Sequence, residues 1–118
     1  MLLVIGGIAS GKRPYVRPLG YDDDRISQTG DSPAPVLLGL EEILRDGPLS
    51  SQDLARLRAK EVVVCCEVGM GVVPMDREQR AWRERVGRTC ALLANDASQV
   101  VRLVCGIPVT LKTSEVGI

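Results

Sequence analysis

The residues from Gly6 to Arg13 carry the spacing with the most chemical content. Gly6, Gly11 and Lys12 fit the G-x-x-x-x-G-K core of a phosphate-binding loop. Glycines allow backbone conformations that other residues avoid, so that successive N–H groups turn towards an anion, and the lysine adds a positive charge. Arg13 stands where such a loop normally has a Ser or Thr that helps to hold Mg²⁺. The spacing therefore predicts phosphate binding and leaves phosphate transfer open.

The segments on either side of the loop provide the context that it requires. Leu2 to Ile5 are apolar and long enough for a strand, and a helix starting near Gly11 is limited to one or two turns because Pro18 would remove a later hydrogen bond. We expect the loop to contact a phosphate-bearing cofactor through Gly6, Gly7, Ile8, Ala9, Ser10, Gly11, Lys12 and Arg13. The alternative is a glycine-rich turn that binds nothing.

Histidine is absent from the whole sequence. Its absence removes the commonest general base near neutral pH and every Ser-His or Cys-His nucleophile pair. It also removes any covalent intermediate carried on a histidine. Mechanisms that pass through a phosphohistidine or a nucleotidyl-histidine are therefore excluded for this chain.

Length and charge bound the remaining classes of protein. With 118 residues we expect a single domain over residues 1–118. The formal net charge is zero and both signs are spread along the chain, so no basic surface favours nucleic acid or an anionic membrane. The apolar stretches are strand-sized and the N-terminus lacks signal-peptide features. We therefore expect a cytoplasmic protein without nucleic-acid or membrane partners.

The cysteines and the acidic run favour structural explanations over metal binding. Cys65, Cys66, Cys90 and Cys105 show no C-x-x-C spacing, and without histidine the usual zinc sites are not available. Buried, reduced thiols are expected. The run Asp22–Asp24 is interpreted as a solvated loop or a helix cap, and the alternative is a divalent-ion site. No residue is assigned as a metal ligand.

Strand and helix patterns alternate along the chain, which predicts an open α/β sheet, mostly parallel, with helices on both faces. The apolar run 62–66 predicts a central strand that is covered on both sides. The other predicted elements are a strand at 1–6, a loop at 19–35, a strand at 36–38, helices at 40–45, 52–60 and 77–97, a strand at 100–105 and an edge strand at 108–112. Ser50 or Ser51 and Asp76 are expected helix caps, Trp82 a core residue, and Lys60 an exposed one.

Two loops should meet at one edge of this sheet. Ligands of open α/β sheets bind beyond the carboxyl ends of the parallel strands, where the phosphate loop and the segment Glu67–Pro74 would both emerge. We expect these two segments to share a site. Lys12 and Glu67 are the candidate catalytic residues, with their roles left open.

Several of these segments together resemble a known family. The stretch from Met1 to Lys12, the run Glu67–Pro74 (E-V-G-M-G-V-V-P), the arginine-rich stretch 80–88 and residues 101–112 are similar to adenosylcobinamide kinase / adenosylcobinamide-phosphate guanylyltransferases of cobalamin biosynthesis. The resemblance implies a reduced P-loop NTPase-like fold and GTP or ATP as cofactor, with the Mg²⁺ requirement open. It also implies a corrinoid as second ligand and a homo-oligomer. Nucleotide contacts are implied at Gly6, Gly7, Ser10, Gly11 and Lys12.

The chain departs from the family pattern at defined positions. Arg13 replaces the Mg²⁺-binding Ser or Thr, and no histidine is present to carry GMP. Gly39 stands near the place of a family acidic residue, with Glu41 and Glu42 close by. Cys90 and Ala91 stand where the family usually has Asn and Gln.

Three functional hypotheses follow from these departures. The first is a nucleotide-binding relative of the family without guanylyltransferase activity and with weak or no kinase activity. The second is a minimal kinase that holds Mg²⁺ through Asp22–Asp24, Glu41 or Glu67. The third is a protein of the same fold that binds no nucleotide and associates through a surface such as the Trp82 helix.

Overall fold

A sheet of six strands organises the chain. The computed structural model describes residues 1–7, 11–67 and 76–113. The strands are β1 (Leu2–Gly6), β2 (Ile26–Ser27), β3 (Val36–Leu38), β4 (Val62–Cys66), β5 (Gln99–Val104) and β6 (Ile107–Thr113). The α-helices are α1 (Lys12–Val16), α2 (Leu40–Ile43), α3 (Ser51–Arg58) and α4 (Arg77–Asp96). Short 3₁₀ turns cover Arg17–Leu19, Asp23–Arg25 and Leu44–Asp46.

The strand order places β1 and β4 at the centre of the sheet. The order is β2-β3-β4-β1-β5-β6, and every pairing is parallel except the antiparallel hairpin of β5 and β6. All five residues of β4 are buried, as its uninterrupted apolar run predicts. The fold class predicted from the sequence is therefore confirmed: a mostly parallel α/β sheet of reduced P-loop NTPase-like type.

Helices cover both faces of this sheet, because the strand side chains alternate between two apolar clusters. One cluster joins Leu3, Val63 and Cys65 to residues from α2, α3 and α4. The other joins Val4, Val64 and Leu103 to Val16 of α1, with Tyr15 and Tyr21 packed against it. The helical cover is thus heavier on the first face than on the second. Among the described residues, no helix is both long and apolar enough to cross a lipid bilayer.

Local signals set the helix boundaries. Helix α1 ends after five residues and passes into the 3₁₀ turn that contains Pro18, in agreement with the predicted one or two turns. Ser50 caps α3 and forms a capping box with Asp53, in which each side chain bonds the other residue's backbone N–H. Asp76 caps α4 by accepting a hydrogen bond from Glu78 N at 2.7 Å.

Two sequence predictions are wrong. Residues 19–35, predicted as a loop, contain the short strand β2, which extends the sheet beyond β3. With only two residues, this strand is too short to show a recognisable sequence pattern. Lys60 is buried, with 8% of its surface exposed, rather than solvated. Its Nζ donates hydrogen bonds to Ser32 O at 2.8 Å and Ala34 O at 2.6 Å, and burial lowers its pKa. Lys60 thereby binds the segment before β3 to the end of α3.

The cysteines differ sharply in exposure. Cys65 and Cys66 are buried, Cys90 is partly buried against the core, and Cys105 is exposed in the turn between β5 and β6. The pKa of the Cys65 thiol is raised, mainly by a hydrogen bond with Cys90 and to a smaller extent by burial. Burial also raises the pKa of Cys66. These thiols are therefore poor nucleophiles at neutral pH.

We predict that iodoacetamide at neutral pH modifies Cys105 in the folded protein at least tenfold faster than Cys65, because Cys105 is exposed and Cys65 is buried. Peptide mass spectrometry of the alkylated protein measures both rates. In the Cys105→Ser variant, Cys65 and Cys66 should take up almost no label until denaturant is added, because both are buried. Equal labelling of Cys65 and Cys105 in the native protein would contradict the buried position of Cys65.

Candidate functional site

The phosphate loop lies between the end of β1 and the start of α1. Gly6 ends β1, Gly7 follows it, and Gly11 immediately precedes α1. Gly11 has a φ of 89°, which L-residues with a side chain rarely adopt, and a Cβ at this position would lie 3.2 Å from Gly106 Cα. The sequence therefore needs glycine here for two reasons, the backbone conformation and the close approach of the β5–β6 turn. Ile8, Ala9 and Ser10, which are also predicted contacts, lie outside the described residues.

Lys12 points back over the end of β1. Its Nζ donates a hydrogen bond to Gly7 O at 2.7 Å and lies 3.4 Å from Gly6 O. Its positive charge also opposes the rise in the pKa of Cys66, which places the ammonium group near the end of β4. The lysine of the motif is thus held at the edge of the sheet where the two central strands end.

Arg13 lies on the surface and faces the acidic run. Its Nη1 is 3.8 Å from Asp23 Oδ1, and Arg17 Nη2 is 2.6 Å from the same oxygen. All three side chains are substantially exposed. Asp23, one of the three aspartates offered as alternative Mg²⁺ ligands, is therefore paired with two guanidinium groups.

A cleft of about 620 Å³ opens between α1 and α2. Lys12 and Arg13 of α1 and Glu41 and Glu42 of α2 line it. We call these two carboxylates the acidic wall. Gly39, which has a φ of 91°, precedes α2 and also lines the cleft. The cleft thus brings two cations and two carboxylates together, an arrangement that suits a ligand with both phosphate and donor groups.

Glu41 is joined to the central strand. Its Oε1 accepts a hydrogen bond from Cys66 N at 2.9 Å, at the end of β4. The bond provides an acceptor for the backbone N–H of the last residue of β4. Through it the acidic wall is attached to the same sheet edge as Lys12.

Glu67 reaches the same edge but turns its carboxylate elsewhere. Its N–H donates to Gly6 O at 2.7 Å, which extends the pairing of β4 with β1. Its carboxylate oxygens lie 3.0 and 3.3 Å from Arg102 Nε on β5. Of the two candidate catalytic residues, Lys12 lines the cleft. Glu67 is instead held in an ion pair with Arg102. Val68 to Pro74, the rest of the predicted shared loop, lie outside the described residues.

The sequence did not single out two residues that support this site. Arg45 and Trp82 stand behind the acidic wall, where the Arg45 guanidinium lies 3.9 Å from the Trp82 ring centroid. Trp82 packs against the core as predicted, and its Nε1 also donates to Glu41 O at 2.8 Å. A contact between residues 41 positions apart leaves no local pattern in the sequence. Among the described residues, no three His, Cys, Asp or Glu side chains converge as metal ligands.

The fold and the site together define an α/β protein in which the predicted phosphate loop follows a central strand. The family model for cobinamide kinase / cobinamide phosphate guanyltransferase matches residues 46–111, more than half of the sequence. The chain belongs to this family. The matched range contains Glu67 and Trp82, whereas the phosphate loop and the acidic wall precede it.

Two curated relatives give the same result. The bifunctional adenosylcobalamin biosynthesis proteins CobU of Escherichia coli (strain K12) and of Salmonella typhimurium (strain LT2) are each 46% identical to this chain over 57 residues. The aligned stretch covers 48% of this chain and 32% of each relative. The chain thus spans about a third of the length of the curated relatives that it matches.

We predict that Gly11→Ala destabilises the protein by about 2 kcal/mol or more, because a strained φ and a tight contact add together. Gly20→Ala is the matched control, since Gly20 has a φ of 108° but nothing lies within 4 Å of the point that its Cβ would occupy. It should cost only about 1 kcal/mol. Urea unfolding measures both. Equal losses would contradict a close approach of the β5–β6 turn to the phosphate loop.

Proposed function

We propose that this chain binds the phosphates of GTP or ATP at the loop between β1 and α1. The observation that carries the proposal is the position of Lys12, whose Nζ lies 2.7 Å from Gly7 O and which lines the cleft. A lysine ammonium held at this point attracts phosphate oxygens strongly, because charge-assisted hydrogen bonds exceed neutral ones. Gly6, Gly7, Gly11 and Arg13 complete the described part of the proposed contact set, and Ile8, Ala9 and Ser10 belong to it by the motif.

Family membership supports a role in cobalamin biosynthesis. On that basis we propose a corrinoid as the second ligand and the cleft between Lys12 and Glu41 as its place of approach to the phosphates. We further propose a single domain over 1–118, a cytoplasmic location and a homo-oligomeric assembly. These statements rest on the resemblance to longer relatives, of which this chain spans about a third.

Guanylyl transfer through a histidine is not part of the proposal, because the sequence contains no histidine. We propose weak or absent kinase activity for a separate reason. Arg13 replaces the hydroxyl that would help to hold Mg²⁺, and phosphoryl transfer depends mainly on positioning and charge neutralisation. The loss of a metal ligand therefore lowers transfer more than it lowers binding.

The second candidate is a minimal active kinase, and one observation favours it. Asp23 is paired with Arg13 and Arg17, and Glu67 is paired with Arg102, but Glu41 lines the same cleft as Lys12. Mg²⁺ is commonly held by one or two carboxylates together with substrate phosphates and water. Glu41 is therefore the residue to test for this candidate.

We predict that Lys12→Ala weakens GTP or ATP binding by about tenfold to a hundredfold, the loss expected for one charge-assisted hydrogen bond. Isothermal titration calorimetry with and without Mg²⁺ measures this. Arg88→Ala is the charge-matched control, since the Arg88 side chain is 80% exposed on α4, and it should leave affinity unchanged. If neither nucleotide binds the unmodified protein at millimolar concentration, both nucleotide-dependent candidates fall and the non-binding alternative remains.

We predict that Arg13→Ser strengthens the binding of Mg²⁺-nucleotide by about threefold to tenfold, because it restores a hydroxyl beside Lys12 at modest structural cost. Asp23 keeps its 2.6 Å pair with Arg17 in this variant. Arg13→Ala removes the same charge without adding the hydroxyl, and the difference between the two variants isolates the metal ligand. Identical affinities in calorimetry would show that the hydroxyl is not what the loop lacks.

A further inference from the structure

The first half of α4 is attached through two backbone carbonyls to α2 and to the 3₁₀ turn that follows it. Trp82 Nε1 donates a hydrogen bond to Glu41 O at 2.8 Å, and Arg85 Nη1 donates to Leu44 O at 2.6 Å. A helix leaves its last carbonyl groups without partners inside the helix, and α2 has only four residues. Side chains of α4 therefore supply partners that α2 lacks, and they fix its position relative to the rest of the protein.

The ring of Trp82 makes a second connection to the same segment. The Arg45 guanidinium lies 3.9 Å from the ring centroid, and Arg45 Nε lies 2.8 Å from Glu42 Oε2. A cation over an indole face is attracted by the ring, and tryptophan is the best of the aromatic residues in this role. Glu42 is thus held by an arginine whose own position depends on Trp82.

Both residues of the acidic wall are therefore connected to one indole, Glu41 directly and Glu42 through Arg45. Glu41 is fixed through its backbone carbonyl by the N–H of Trp82, and Glu42 is fixed through Arg45 by the ring. Among the described residues that line the cleft, neither Trp82 nor Arg45 is found. Trp82 thus acts on the cleft from behind.

We propose that Trp82 is a positioning residue that holds the acidic wall at the cleft that Lys12 also lines, and so sets how much phosphate charge the cleft accepts. The proposal rests on the proposed nucleotide-binding function. Carboxylates near a polyphosphate repel it, and the repulsion depends steeply on distance and on exposure to salt. A wall held in place by Trp82 weakens metal-free nucleotide binding, and a wall released from Trp82 does so less.

The test is a double-mutant cycle in which calorimetry measures the affinity of each variant for GTP in the presence of EDTA. In the unmodified protein, Glu42→Gln should tighten GTP binding by about threefold or more, because one negative charge is removed from the cleft. In the Trp82→Ala background the same substitution should change affinity by less than about 1.5-fold, since Glu42 is no longer held over the cleft. In the Trp82→Phe background, which keeps a ring beneath Arg45, most of the effect should return.

The fluorescence of Trp82 adds an independent readout, because the sequence contains one tryptophan. GTP should shift or quench its emission in the unmodified protein with the same Kd as calorimetry gives, and this response should be lost in Lys12→Ala. If Trp82→Ala fails to fold, Trp82→Leu replaces it, because this variant keeps an apolar side chain in the core, removes the indole N–H and the ring beneath Arg45, and leaves the charge of Arg45 in place. The Glu42→Gln effect should then also fall below about 1.5-fold.

The outcomes separate the two claims. If Glu42→Gln changes affinity equally with and without Trp82, or if it has no effect in the unmodified protein, the positioning role is overturned while nucleotide binding stands. If the unmodified protein binds no GTP at all, the proposed function is overturned and the positioning role with it.

Discussion

The parallel pairing of β1 with β4 is the constraint on which the candidate site depends. Its register places Gly6 opposite Cys66, and the pairing continues when Glu67 N donates to Gly6 O. Because parallel strands end at the same edge, the phosphate loop and the segment after β4 begin at the same level. A shift of one residue would turn the buried side chains of β4 to the opposite face, and all five of them are packed. Burial of β4 on both sides therefore also fixes the sheet edge at which Lys12 and Glu41 are bound.

The parts of this arrangement that depend on local pattern could be predicted from the sequence. The apolar run 62–66, the Ser50 and Asp76 caps and the short first helix follow from signals within a few residues. The strand β2 could not be predicted, because two residues are too few to show the alternation of apolar and polar side chains that marks a strand. Its pairing with β3 also depends on how the intervening loop folds back. Lys60 is a sharper case: a lysine at the end of an amphipathic helix normally stays in water, and here two carbonyls of a distant loop compensate its burial.

The candidate site divides in the same way. Glycines and a lysine in fixed spacing indicate the phosphate loop, because its chemistry depends on consecutive residues. The acidic wall could be named only as a pair of nearby carboxylates, since its place at the cleft that Lys12 lines requires the sheet to be assembled. Trp82 could be recognised as apolar and helical, but its hydrogen bond with Glu41 O joins elements 41 residues apart. Residues that act on a site through another element leave no spacing to detect.

The charges around the cleft limit how this chain can recruit a ligand. Arg13 lies 3.8 Å from Asp23, and Glu42 lies 2.8 Å from Arg45, so each of these cleft residues is balanced by an opposite charge outside the cleft. Lys12 and Glu41 also line it, with charges of opposite sign. With a formal net charge of zero, the protein has little long-range field to draw in an anionic nucleotide. The proposed affinity for phosphate must therefore come from short-range contacts at the loop and at Lys12, where displacements of an ångström matter. For that reason the position of the acidic wall, and the side chains that hold it, become part of the recognition chemistry.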